Sequence, residues 1–265
     1  MSNETAVSEQ TSPSSCQTDG AADVTVYGLG RSLVAPCFSP FTLKLQTYLR
    51  MAGIKYKFEG SLKMSSKGKI PYIIHKGKQV EDTSFIVEYL NKEYSVDLNA
   101  HLSLSEKGIS VAFQRLIEEN LNWPLTYERW ILKYNNLVDI LPFTSFKKKM
   151  FKLATSSPFG MKSKVQANMH GHGIGRHSKE DIFKIAEKDL TSISNFLGDK
   201  PFLMGSKPSQ VDASIFGHIG ILMFAATDFR THRFVKDNLP NLVTYCERVR
   251  ERFWPDWNDR VAENI

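Results

Sequence analysis

The chain has 265 residues, 42% of them hydrophobic, and a formal charge of +6, so apolar material for a packed core is ample and a globular enzyme or binding protein is the default. It has no run of 18 uninterrupted apolar residues, and its N-terminus has no charged segment leading into an apolar stretch. Neither a membrane span nor a secretory signal is expected, which places the protein in the cytoplasm and at most peripheral to membranes. The three cysteines (Cys16, Cys37, Cys246) are odd in number and far apart, which excludes a disulfide framework or a paired-cysteine zinc site and favours a reducing compartment.

Residues 1–22 are rich in Ser, Thr and Gln with little to bury, and are expected to be a disordered tail. Val24-Thr25-Val26-Tyr27 predicts a first strand. Phe41, Leu45, Tyr48 and Leu49 then share one face of a helix over 41–51 that Gly53 ends. Lys55 to Glu59 alternates as a second strand, and Pro71 to His75 turns through Lys76-Gly77-Lys78 to Gln79-Val80-Glu81 as a hairpin. Asp82 or Thr83 caps a further helix carrying Phe85, Ile86, Tyr89 and Leu90. Beyond about Ser105 strand signals stop, and helical stretches are expected over 105–135, less regularly over 139–168, then over 178–197, 209–226 and 239–253. The expected division is 23–98 for an α/β domain, 104–257 for an all-α domain, and 258–265 for a tail.

The excess charge is local: Lys147, Lys148, Lys149, Lys152, Lys162, Lys164 and Arg176 fall between Thr144 and Ser178, where Asp and Glu are absent. Such a segment is either a solvated face or a contact surface over 147–176 for anionic lipid headgroups or a protein partner. No nucleic-acid motif accompanies it, and nucleic acid is not expected. His170, His172 and His177 have no fourth ligand at matching spacing, so no metal is expected and an irregular turn before the helix at 178 is the reading there. Gly28-Leu29-Gly30 has Leu33 where a dinucleotide fingerprint needs its third glycine.

The β-α-β-β-β-α order with Ile70-Pro71 ahead of the hairpin resembles a thioredoxin-like domain, in which a cis proline at that place presents peptide groups to a ligand. Ser39-Pro40-Phe41, Lys69-Ile70-Pro71-Tyr72 and Asp82-Thr83-Ser84-Phe85 look like the three landmarks of a glutathione-transferase N-terminal domain. The resemblance implies a glutathione-transferase fold, with glutathione as ligand or substrate and no metal. It implies that Ser39 contacts the glutathione sulfur, that Ile70 and Pro71 hold the cysteinyl backbone, and that Asp82 and Thr83 anchor the γ-glutamyl end, where the family usually has Glu or Gln followed by Ser. A hydroxyl and a helix N-terminus at Ser39 would stabilise a thiolate. The same Ser-Pro pair is equally an N-cap followed by proline at N1. Cys37 offers a third reading, a mixed disulfide with glutathione, without the redox Cys-x-x-Cys arrangement.

In the helical region Ser209 and Asp212 form a capping box. Trp123, Tyr127 and Trp130 fall at helical spacing, where they either wall an acceptor pocket or fill the core. Met169-His170-Gly171-His172-Gly173-Ile174-Gly175-Arg176, Asp212-Ala213-Ser214-Ile215-Phe216-Gly217-His218 and Tyr245 to Pro255 are similar to the failed axon connections family, a metaxin-related branch of the same fold. That resemblance implies a role in axonal development or related signalling. The alternative is an active transferase joining glutathione to small electrophiles. A homodimer is common in the fold, although no residue here marks its interface.

Overall fold

The β-branched opening segment forms β1 (Val24–Gly28) of a four-stranded sheet, in a computed structural model that describes residues 22–226 and 228–262. The expected tail therefore lies outside the described residues except for its last position, and Cys16 lies outside them too. β2 (Tyr56–Gly60) pairs with β1 in parallel, while β3 (Tyr72–His75) and β4 (Lys78–Glu81) continue antiparallel in the order β2-β1-β3-β4. Alternation puts Val24, Val26 and Ile73 on the face covered by α1 (Pro40–Met51) and α2 (Thr83–Tyr94), where Leu45, Leu49, Ile86 and Leu90 meet them at essentially zero exposure. Tyr27 and Tyr72 stack at 5.0 Å as a cross-strand pair. The Ile70-Pro71 peptide is cis. On α2, Phe85 departs from the expected apolar face: it is 56% exposed beneath the Lys67 ammonium, and Val87 is buried in its stead.

The stretch expected as one helix over 105–135 is α3 (Leu104–Arg115) and α4 (Asn122–Tyr127), with π turns at Leu116–Leu121 and Glu128–Leu132, then α5 (Tyr134–Asp139). A π turn takes more residues than an α turn, so it rotates every later side chain about the axis. Consequently Trp123 and Tyr127 pack with Met169, Ile174 and Ile182, whereas Trp130 joins a separate cluster with Tyr134, Leu137 and Val138. The irregular stretch resolves into α6 (Ser145–Ser156) and α7 (Met161–His172), which Gly173 at φ 103° ends. In the turn that follows, Arg176 Nε donates to the His170 carbonyl at 3.1 Å.

α8 (Lys179–Leu197), α9 (Gln210–Ile215), a π turn at Phe216–Gly220, α10 (Ile221–Ala225) and α12 (Pro240–Phe253) supply the second core, centred on Leu190, Ile193, Phe216, Leu242 and Tyr245. The capping box forms as expected: Asp212 Oδ2 accepts from Ser209 N–H at 2.7 Å, and its other oxygen takes Leu203 N–H and the Tyr245 hydroxyl. α11 (Arg230–Asn238) is a helix that local pattern did not predict. Its first turn is held by Glu128, about a hundred residues earlier, whose carboxylate accepts from Thr231 N–H and from its hydroxyl at 2.6 Å.

The two parts meet along α1. A Cβ on Gly217 would stand 2.6 Å from the Pro40 carbonyl and 2.8 Å from Lys44 Cβ, so only glycine lets this π turn press against the helix. Residues 258–262, expected within a tail, are instead packed: Asn258–Arg260 forms a 3-10 turn, Val261 lies against the second core, and Ala262 N–H donates to the Ser32 carbonyl. They are anchored because Trp254 and Trp257, just before them, are buried.

Candidate functional site

Where the α/β domain faces α3 and α4, a cavity of about 370 Å³ opens. Its floor comes from the loop Gly68-Lys69-Ile70-Pro71 and from Asp82, Thr83 and Ser84 at the start of α2. Its far wall is Arg115, Glu118, Glu119, Asn122 and Trp123, with Phe41 between. Four of the sequence-derived glutathione residues (Ile70, Pro71, Asp82, Thr83) thus converge on one space, joined by Trp123. Ile70 lies just ahead of β3, whose register with β1 starts at the Tyr72–Tyr27 pair, so its peptide groups sit beyond the ladder.

Asp82 turns the chain from β4 into α2 at φ 70°, an unusual conformation for a residue with a side chain. Its carboxylate accepts from Ser84 N–H at 3.1 Å and pairs with Lys69 at 2.9 Å. Burial alone would raise this carboxyl, but Lys69 and the Ser84 amide outweigh it and hold Asp82 below the usual range. No further acidic residue follows in the first turn of α2, so Asp82 is the carboxylate that caps this end beside the cavity.

Thr83 stands on a buried ionic network that sequence reading missed. Lys44, on α1 and 1% exposed, donates to Thr83 Oγ1 at 2.9 Å and pairs with Glu118 at 2.6 Å. Because Thr83 accepts from Lys44, its own hydroxyl proton remains available to a ligand. Glu118 also accepts from the Ser214 hydroxyl at 2.6 Å and from Gln114 at 3.4 Å. Burial pushes Lys44 down and Glu118 up, yet each charge supports the other, and Glu118 ends below its ordinary range. Beneath them His218 donates through Nδ1 to the Ser214 carbonyl at 2.9 Å, and burial drives it down to about 4, a neutral ring at neutral pH. One signal was available for Lys44: it shares a helical face with Phe41 and Tyr48, at i, i+3 and i+7. Arg115 and Glu118 had none, because they reach the cavity from the other domain.

Ser39 is the N-cap of α1, and its Oγ accepts from Thr42 N–H at 3.4 Å. It is 7% exposed and does not line the polar cavity. Its neighbours line two separate spaces: Phe41 the polar cavity, and Phe38 an open apolar one of about 480 Å³ lined also by Phe58, Leu62, Leu141, Phe143 and Phe151. Arg129, which the sequence did not single out, donates to the Phe38 carbonyl at 3.2 Å and so brings a cation beside the first turn of α1. Cys37 is wholly buried, and desolvation pushes its thiol up to about 12, which removes the thiolate a mixed disulfide requires. Tyr127 is absent from the cavity lining: it packs behind Trp123, whose ring lies 5.1 Å from His172.

Two family models match the chain: the glutathione S-transferase N-terminal domain over residues 40–136 and the glutathione S-transferase C-terminal domain over 186–249. Isoprene-epoxide glutathione S-transferase of Rhodococcus sp. (strain AD45) is 30% identical over 87% of this chain and 99% of its own length. Failed axon connections of Drosophila melanogaster is 28% identical over 88% of this chain, which spans 59% of that longer protein. Metaxin-1 of Mus musculus is 25% identical over 83% of this chain and 72% of its own. Among solved structures, a β-etherase from Sphingobium sp. strain SYK-6 superposes with a TM-score of 0.61 at 14% identity, covering 87% of this chain and 96% of that one, a likeness of fold.

Proposed function

We propose, from the premise that this chain belongs to the glutathione S-transferase family in the branch of failed axon connections and the metaxins, that it binds glutathione in the polar cavity between α2 and α3–α4. The observation that carries this reading is the convergence of Ile70, Pro71, Asp82 and Thr83 on one cavity whose lining holds both signs of charge. A γ-glutamyl end is zwitterionic. The α2 N-terminus and the Thr83 hydroxyl suit its carboxylate, Asp82 and Glu118 suit its ammonium, and the Ile70 peptide suits the cysteinyl backbone. Titration calorimetry on the whole chain is expected to show saturable glutathione binding that Cys-Gly, lacking the γ-glutamyl group, does not reproduce. Thr83→Val is expected to weaken it by roughly tenfold or more, with Thr83→Ser restoring it. Undetectable binding at millimolar glutathione would sink the proposal.

A second reading, conjugation to small electrophiles, is favoured by the apolar cavity on the Phe38 side of Ser39 and by the Rhodococcus relative. In it the glutathione thiol loses its proton to solvent. The Ser39 hydroxyl, the α1 amides and the Arg129 charge lower the thiol pKa, and the thiolate attacks an electrophilic carbon such as that of an epoxide, whose C–O bond breaks as the C–S bond forms and whose oxygen then takes a proton from solvent. The cap bond leaves the Ser39 proton free to donate, but Ser39 is buried and does not line the polar cavity, and on that ground we take turnover to be weak or absent. The similarity to Failed axon connections supports a role in axonal development or related signalling, in which glutathione binding is kept and conjugation is not. An assay with electrophilic substrates decides between the readings: robust turnover that Ser39→Ala abolishes makes the protein an enzyme.

A further inference from the structure

We propose that α6 is an interfacial helix that lays an apolar stripe onto an anionic lipid surface. Three observations carry this. First, the helix packs inward through Phe151 but turns its other large apolar side chains outward. Phe146, Met150 and Leu153, at i, i+4 and i+7, are 73%, 50% and 70% exposed, and Phe159 beyond the helix end is 90% exposed. None of the twelve residues of α6 is fully buried. Second, its inward face sets lysines on either side of Phe151, which packs toward Tyr134, Leu137 and Val138: Lys148 donates to the Asp139 carbonyl at 2.8 Å, and Lys152 approaches the Asp139 carboxylate at 4.0 Å. Third, Lys147 and Lys149 flank the stripe on opposite sides without an ion-pair partner among the described residues, in a segment from Thr144 to Ser178 that holds seven cations and no Asp or Glu.

An outward apolar ridge between two rows of cations is the pattern by which a helix lies in the headgroup region, with phenylalanine and leucine below the phosphates and ammonium groups level with them. Charge complementarity selects the occupant. A second copy of this chain would bring the same uncompensated cations against each other, and a neutral apolar partner would leave them unmatched. An anionic bilayer matches both features. Among the described residues no single helix is long and apolar enough to cross a membrane, so the contact at α6 lies along the surface. The stripe is separate from the glutathione cavity, which α6 does not line, so either proposal can fail alone.

The test is co-sedimentation of the whole chain with phosphatidylcholine vesicles, with and without phosphatidylserine, at low and high salt. Binding is expected to the serine-containing vesicles, to weaken with salt, and to fall at least about tenfold in Lys147→Glu/Lys149→Glu. Phe146→Ser/Leu153→Ser is expected to lose binding at unchanged net charge, which separates insertion from plain attraction. All four substituted side chains lie outside the buried core, and circular dichroism confirms that the variants fold. The proposal is overturned by wild type that pellets with neither vesicle, or by binding that survives both double variants. It is also overturned if sedimentation velocity shows a self-associated wild type that Phe146→Ser/Leu153→Ser makes monomeric while vesicles are ignored. That last result would assign the stripe to a second copy.

Discussion

α1 and α6 are both twelve-residue helices, and they depart from the usual distribution of polar and apolar residues in opposite directions. α1 buries Lys44, Gln46, Thr47 and Arg50, and each has a specific neighbour: Glu118 and Thr83 for Lys44, the Tyr56 hydroxyl for Gln46, the Trp254 indole for Thr47, and Asp256 for Arg50. α6 exposes Phe146, Met150 and Leu153, and nothing among the described residues covers them. The difference separates two kinds of irregularity. Buried polar groups answered from within the chain, as on α1 all but Thr42 Oγ1 and Gln46 Nε2 are, belong to the internal design of a domain interface. Exposed apolar groups in a row point outward, to something the described residues do not supply.

The comparison breaks first at Lys44. Glu118→Gln should strand a buried ammonium and cost about 3–5 kcal/mol in urea unfolding. The double variant Lys44→Met/Glu118→Leu should recover most of that, because an apolar pair of similar volume needs no compensation. A single-variant cost below about 1 kcal/mol would mean that water reaches the pair after all. A smaller effect is expected at Asp256. Burial works to raise this carboxyl, but Arg50 and Arg260 outweigh it and hold it at about 2, against an ordinary 3.8. A depressed carboxyl contributes stability in full above its ordinary pKa and loses that contribution as pH falls through the folded value. Acid unfolding of the wild type should therefore steepen between about pH 4 and pH 2, and Asp256→Asn should flatten that limb while costing about 1–2 kcal/mol at neutral pH. The smallest effect belongs to α6: Phe146→Ser and Leu153→Ser should each leave stability within about 0.5 kcal/mol of wild type. A marked loss in thermal melting would show that the stripe is covered within the folded chain and would remove the contrast with α1.

What could be read in the sequence was whatever is encoded within a few residues. Strand alternation, a cap at Asp82 or Thr83 (the structure has Asp82), the Ile70-Pro71 corner and the Ser209–Asp212 box all appear where local chemistry put them. The floor of the polar cavity was legible through the resemblance of Lys69-Ile70-Pro71-Tyr72 and Asp82-Thr83-Ser84-Phe85 to the family's landmarks. Its far wall was not, since Arg115 and Glu118 enter through the packing of one domain on another. α11 escaped because its cap is Glu128, remote in sequence, and Trp130 parted from Trp123 and Tyr127 because a π turn has no strong local signature. The basic run from Lys147 to Arg176 was visible as charge. The outward turn of Phe146, Met150 and Leu153 was not, because periodicity shows that a helix has an apolar face but not which way it looks.

Arg50 has a consequence that concerns time. Its guanidinium lies 3.8 Å over the Trp254 ring, pairs with Asp256 and donates to the Phe253 carbonyl, partners more than two hundred residues further along the chain. At ribosomal rates of about 5–20 residues per second, they follow Arg50 by on the order of 10–40 s. Throughout that interval Arg50 and Thr47 lack these later partners. The turn at Trp254 and Asp256 therefore covers this part of α1 only after the helical domain has been synthesised.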